Sequence, residues 1–139
     1  MAKLQVLVLD DEPLVGKRLK LVLSRIGCEV EAFDRPLDAF QRIGEKEFDV
    51  VISDIIMGEV DGIQLLEYVL ERSPRAKVIM ITGYAMMATA KDAMEKGAFD
   101  FIAKPFKPDE LKSVVARAAA ELGMDVQFKP GATEEGGPR

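Results

Sequence analysis

The chain has no histidine and no tryptophan in 139 residues, and a single cysteine, Cys28. Without an imidazole it has no histidine general base, no His–metal site and no Ser–His triad of its own. One cysteine excludes an internal disulfide, and Cys28 reads as a small buried hydrophobe. Phosphate-binding glycine loops are missing too. "VGKR" at Val15–Arg18 lacks the upstream glycine and following Ser/Thr of a Walker A loop, and no G-x-G-x-x-G occurs. Positive charge is in deficit: 19 Lys and Arg stand against 24 Asp and Glu, a net charge of −5 with a pI near 4.9. That balance argues against non-specific binding to nucleic acid or to an anionic membrane. No apolar run approaches the ~20 residues of a membrane span, and no basic-then-apolar leader opens the sequence. The expectation is a cytoplasmic protein that binds neither nucleic acid nor membrane.

What is present is a regular alternation. Leu4–Leu9 is a near-continuous apolar run of strand length, followed by Val15, Leu19, Val22, Leu23 and Ile26 at helical spacing, with Gly27 as a stop. Cys28–Phe33 alternates like a strand nearer an edge. Pro36 starts a helix carrying Leu37, Phe40 and Ile43. Val50–Ser53 is a third strand, and Leu65, Leu66, Val69 and Leu70 mark a third helix. Lys77–Ile81 is a fourth strand, followed by a helix with Met87, Ala90 and Met94. Ala98–Ala103 is a fifth strand. The last helix opens at Pro108, with Asp109 and Glu110 in its first turn, and carries Leu111, Val114, Val115, Ala118 and Leu122. Five strands alternating with five helices predict an α/β fold, a doubly wound parallel sheet with helices on both faces. The expected form is flavodoxin-like, (βα)5, with strand order 2-1-3-4-5. Residues 1–122 form one domain in this reading. The glycine-rich residues 123–139 read as a flexible tail or the start of a linker.

In such a sheet function gathers beyond the carboxyl ends of the strands. "VLVLDDEP" (Val6–Pro13) runs a strand straight into three acids. The third strand ends in Asp54, the fourth in Thr82, and the fifth in Lys104 followed by Pro105. Asp10, Asp11, Asp54, Thr82 and Lys104 should therefore reach one rim. Three carboxylates repel unless a cation sits among them, and an all-oxygen, partly hydrated site suits Mg²⁺ better than zinc. A carboxylate beside Mg²⁺ and an ammonium can act as a nucleophile toward phosphorus. The crowding of acids then makes sense as a metal cradle.

From Lys3 to about Leu122 the chain resembles the receiver domain of bacterial two-component response regulators. "VLVLDDEP", "VISDIIM", "DG" at Asp61–Gly62, "VIMITGYA" and "GAFDFIAKPF" stand in that family's order and spacing. "GAFDFIAKPF" is most similar to receivers of enhancer-binding transcription activators. The resemblance implies a phosphorylation-activated switch that takes a phosphoryl group on Asp54 from a partner histidine kinase or phosphotransfer protein. It implies Mg²⁺ held by Asp10, Asp11, Asp54 and the backbone carbonyl of Ile56, with Thr82 and Lys104 contacting the phosphoryl group. The Lys104–Pro105 bond is similar to one the family keeps cis. Phe101 matches the family's switch aromatic, which moves with Thr82. The output surface would be the fourth helix, fifth strand and fifth helix, including Met86, and this face could also form a homodimer. Gly58 departs from the family, which commonly has proline there, so a more mobile loop is expected beyond Asp54.

Leu14, Arg18, Leu21 and Arg25 form a second stripe on the first helix. By family analogy Leu14, Arg18, Pro105 and Phe106 would receive the phosphodonor. Ile56 and Tyr84, two residues past Asp54 and Thr82, are placed to govern the approach of water, and neither side chain favours it. A long-lived phosphorylated form is expected. Chemistry is confined to the protein's own phosphorylation and dephosphorylation, so it is not an enzyme in the ordinary sense. Two alternatives carry less. A Mg²⁺-dependent small-molecule phosphatase would need a second carboxylate as acid and a cap domain, and neither is evident. A phosphorylation-independent scaffold would not need the full acid, threonine and lysine set.

Overall fold

The apolar runs of five or six residues become the strands of one parallel sheet, and the periodic segments between them become helices. The computed structural model describes residues 3–57, 60–83 and 87–128. In chain order the elements are β1 (Gln5–Leu9), α1 (Pro13–Ser24), β2 (Glu29–Phe33), α2 (Pro36–Glu45), β3 (Val50–Asp54), β4 (Ile56–Met57) and β5 (Val60–Asp61). They continue as α3 (Gly62–Arg72), β6 (Lys77–Thr82), α4 (Met87–Glu95), β7 (Asp100–Ala103) and α5 (Pro108–Glu121). Proline sits at the start of α1, α2 and α5, where its missing N–H has no helical partner to lose.

The sheet order is β2-β1-β3-β6-β7, all parallel, which is the expected 2-1-3-4-5 order of the five long strands. The chain steps from β1 outward to β2, then returns across β1 to β3. That reversal opens a crevice between the carboxyl ends of β1 and β3. The short antiparallel pair β4–β5 was not expected from the sequence. Two-residue strands leave no periodicity to read.

Strand residues alternate between two cores. Val6 and Val8, Val50 and Ile52, and Ile79 and Ile81 join the core under α1 and α5. Leu7 and Leu9, Val51, and Val78 and Met80 join the one under α2, α3 and α4. Burial on both faces is why β1, β3 and β6 read as unbroken apolar runs. Three helix positions differ from the sequence reading. Leu37 is 78% exposed, because α2 turns Ala39 and Ile43 inward and Leu37 lies about 200° from Ala39 on the helix. In α4 the inward pair is Ala90 and Ala93, whose small side chains let the helix lie close to the sheet, and Met94 is exposed. In α5 Ala119 is buried, whereas Leu122 is only half-buried at the helix end.

After α5 the described chain lies back on the body. Met124, Val126 and Phe128 are half-buried against the α1–α5 core, alternating with exposed Asp125 and Gln127. The Gln127 N–H donates to the Ile26 carbonyl at 2.8 Å, and the Lys112 ammonium lies over the Phe128 ring, 5.7 Å from its centre. Gly27 sits at φ +91°, so any larger residue there is strained, although a Cβ would meet the Gln127 side chain only at ordinary contact distance.

Candidate functional site

Four strand ends supply the site. One oxygen each from Asp10, Asp11 and Asp54 lies within 4.8 Å of the others. Asp10 is fully buried, Asp54 is 8% exposed and Asp11 is exposed. Lys104 reaches in from the end of β7. Its Nζ lies 3.3 Å from Asp10, 3.4 Å from Asp54 and 3.5 Å from Glu12. The Lys104 backbone N–H donates to the Thr82 carbonyl at 2.8 Å, which ties the ends of β6 and β7 together. The Lys104–Pro105 peptide is cis. Thr82 is 1% exposed, and its hydroxyl donates to the Gly83 carbonyl at 3.0 Å.

The backbone around Asp54 is fixed closely. The Ser53 hydroxyl donates to the Asp54 carbonyl at 2.9 Å, and the Ile55 N–H donates to the Ile81 carbonyl at 3.0 Å. Gly62 opens α3 directly behind the strand. A Cβ there would stand 2.3 Å from the Asp54 carbonyl oxygen and 2.9 Å from the Ile55 Cα. This is backbone against backbone and cannot give way, so the glycine of "DG" is required by space. On the other side, the Asp10 carboxylate accepts the Glu12 N–H at 2.9 Å and so joins the acid pair to the start of α1.

Burial and the Asp10 carboxylate push the Asp54 carboxyl up to about 7, while Lys104 pulls it down less strongly. For Lys104, burial works against the charge, but Asp54 and Asp10 outweigh it and its pKa is raised. One ammonium among four carboxylates leaves the rim short of positive charge. The donor set is all oxygen, two of its three aspartates are buried, and it faces a shallow cleft lined by Asp11, Glu12, Asp54, Ile55, Ile81, Gly83 and Lys104. Such a set fits a hard divalent cation such as Mg²⁺.

Asp10, Asp11, Asp54, Thr82 and Lys104 thus meet at one rim. Phe101 stands apart from it, half-buried against the α2–α3–α4 core. Leu14 is 78% exposed, and Arg18, Leu21 and Arg25 are exposed along the same helix. Arg18, Pro105 and Phe106, with Val15, Leu19 and Val22, line an apolar groove of about 360 Å³ between α1 and α5, next to Lys104. Ile56 opens β4 opposite Asp61. Tyr84, Met86 and Gly58 lie outside the described residues. Glu12 is the one charged residue of the described rim that the sequence reading did not place in the site. Its contact partner is 92 residues away, a distance no local pattern reports.

The response regulator receiver domain model matches residues 6–116. The chain belongs to this family. The receiver is similar to the response regulator protein PilR of Pseudomonas aeruginosa, at 31% identity over 130 residues, covering 94% of this chain and 29% of PilR. It is 34% identical to the chemotaxis protein CheY of Listeria monocytogenes over 117 residues, covering 84% of this chain and 98% of CheY. Among solved structures it resembles a response regulator protein from Burkholderia pseudomallei with a phosphorylated aspartic acid, calcium ion and citrate. The TM-score is 0.76 at 27% identity, covering 87% of this chain and 71% of that one. Several relatives are much longer proteins, and the receiver spans 29% of PilR and 27% of the regulatory protein AtoC of Escherichia coli. No helix among the described residues is long and apolar enough to cross a membrane.

Proposed function

We propose that this receiver is a cytoplasmic signalling switch that accepts a phosphoryl group on Asp54 from a partner histidine kinase or phosphotransfer protein. The single observation that carries this reading is the cluster itself: three aspartates within 4.8 Å of one another and one lysine reaching two of them, in a receiver fold. A carboxylate oxygen of Asp54 forms the new bond to phosphorus as the bond to the donor's imidazole nitrogen breaks, giving an aspartyl phosphate and a free histidine on the donor. Lys104 offers its ammonium, and Thr82 its hydroxyl, to oxygens of the arriving group. For Thr82 this means giving up its bond to the Gly83 carbonyl. Asp10, Asp11, Asp54 and the Ile56 carbonyl would hold Mg²⁺, which when bound neutralises charge on the transferring group. The phosphorylated aspartic acid and calcium ion of the Burkholderia structure support both assignments.

In this reading residues 1–122 are the receiver unit and 123–139 a tail or the start of a linker, whose first part, through Phe128, packs back on the α1–α5 core. The donor docks on α1 beside the groove, through Leu14, Arg18, Pro105 and Phe106. The exposure of Leu14 and Arg18 and the groove's apolar lining support that surface. Movement of Thr82 and Phe101 would alter the face formed by α4, β7 and α5, which meets a downstream partner, an output domain or a second copy. Ile56 and Tyr84 would limit water at the phosphorus. Ile56→Asn with Tyr84→Glu should then speed dephosphorylation about tenfold, a barrier change of only about 1.4 kcal/mol. The test of the whole reading is incubation with acetyl phosphate and Mg²⁺, followed by intact-mass measurement. One added phosphate on Asp54 is expected. Steady release of phosphate from small esters would favour a phosphatase, and no labelling with no Mg²⁺ binding would favour a scaffold.

A further inference from the structure

Glu12 is the N-cap of α1, with extended backbone angles of φ −97° and ψ 107°, yet its side chain makes no capping hydrogen bond. An acidic residue there would ordinarily turn its carboxylate toward the free N–H groups of the first turn. Instead Glu12 Oε1 lies 3.5 Å from Lys104 Nζ. Its backbone is held at both ends: the N–H donates to Asp10 at 2.9 Å, and the carbonyl accepts from Val15 at 3.0 Å and Gly16 at 3.3 Å. The carboxylate is 67% exposed, whereas the side chains of Asp10 and Asp54 are 0% and 11% exposed. The ammonium therefore sits between two inner acids and one outer acid, at 3.3–3.5 Å from each. None of the three holds it at the 2.7–2.9 Å of a strong charge-assisted bond.

We infer that Glu12 is a positioning residue for Lys104: it draws the ammonium toward solvent and so sets how readily Lys104 turns to an oxygen of the arriving phosphoryl group. The inference rests on the proposed phosphoryl transfer to Asp54. Lys104 has three protons to give, and the phosphoryl oxygens take their share at the expense of the weakest existing partner. Glu12, the most solvated of the three, is that partner. Exposed ion pairs of this kind shift an equilibrium by no more than about fivefold, so Glu12 acts as a tuner and not as an essential group.

The test is Glu12→Gln, which keeps the side chain's shape and removes its charge. The initial rate of Asp54 labelling by acetyl phosphate in saturating Mg²⁺ should rise about two- to fivefold. The same change in a Lys104→Gln background should leave the already reduced rate unaltered, because the effect passes through the ammonium. An acceleration that persists without Lys104 would assign Glu12 a general charge effect and overturn the inference. So would an unchanged or slower rate for Glu12→Gln in the native background. A second readout needs no donor: the ¹⁵N resonance of the Lys104 ammonium in the metal-free protein should move on Glu12→Gln. If the wild type takes no label at all, the phosphoryl-transfer reading fails. In that case an unmoved ammonium resonance would reject the Glu12 contact as well, and a moved one would leave the contact standing without that role.

Discussion

Glu31 and Asp54 are both carboxylates at the side of the same sheet with cations in reach, yet their surroundings drive them in opposite directions. Glu31, on the edge strand β2, meets two cations, one of which, Arg42, also reaches Glu45 at 3.3 Å. Arg42 meets it with Nε at 2.7 Å and Nη2 at 3.1 Å, and Lys46 lies at 3.1 Å. The Arg42 hydrogen bond, helped by Lys46, holds the Glu31 carboxyl well below its ordinary range. Asp54 has one cation, shares it with Asp10 and Glu12, and is pushed up to about 7 by burial and by Asp10. The first cluster is complete, and its charge is spent within the protein. The second is left with excess negative charge at the one crevice the topology opens. A deficit of that kind in a buried place is what a bound cation and a reacting phosphoryl group can answer.

The sharpest way to break this contrast is to remove the unsatisfied carboxylate. Asp54→Asn should abolish labelling by acetyl phosphate, as read by intact mass, while Glu31→Gln should leave it intact. Next comes the metal. Calorimetric titration should show Mg²⁺ affinity reduced about tenfold or more by Asp11→Asn, or about 1.4 kcal/mol, and reduced less by Asp10→Asn. Chelation of the metal should stop labelling of the native protein.

The third effect is on stability, and here the two carboxylates should differ in sign. Asp54 binds its proton more tightly in the folded chain than its ordinary value near 4 would allow when unfolded, so the folded state holds more protons between about pH 4 and 7. Its contribution to stability therefore falls as pH rises through that window. Denaturant unfolding of the metal-free protein at pH 8 should find Asp54→Asn more stable than the native chain by on the order of 2 kcal/mol, with the gap closed below pH 4. Glu31 is depressed, so its stabilisation is present above its unfolded pKa near 4.3 and is lost as pH falls below that. Being partly exposed and screened, it is the smallest effect: Glu31→Gln should cost less than about 1 kcal/mol at pH 7, and the cost should shrink as pH falls toward 2.

The sheet was legible because burial on both faces turned β1, β3 and β6 into almost wholly apolar runs, with buried Ser53 the exception near the end of β3. The rim followed from the same fact, since Asp10, Asp54 and Thr82 mark where those runs stop, and Lys104 follows the edge strand β7. Surface placement was harder. Leu37 and Met94 carry apolar side chains at near-helical spacing, and only the packing of small Ala39, Ala90 and Ala93 shows which way α2 and α4 turn. The β4–β5 pair was too short to leave a pattern, and the reach of Glu12 to Lys104 has none. Contacts between distant segments are settled by the sheet order and then by side-chain length, and neither is written locally in the sequence.

The segment that lies back after α5 determines where a pull on the chain would be felt. With Met124, Val126 and Phe128 seated on the α1–α5 core and Gln127 bonded to Ile26, tension applied beyond Phe128 is delivered first to the end of α1. The helix that would take up that load is the one that carries Leu14 and Arg18 and begins at the acid rim. In mechanical terms, the far end of α1 and the acid rim are opposite ends of one lever.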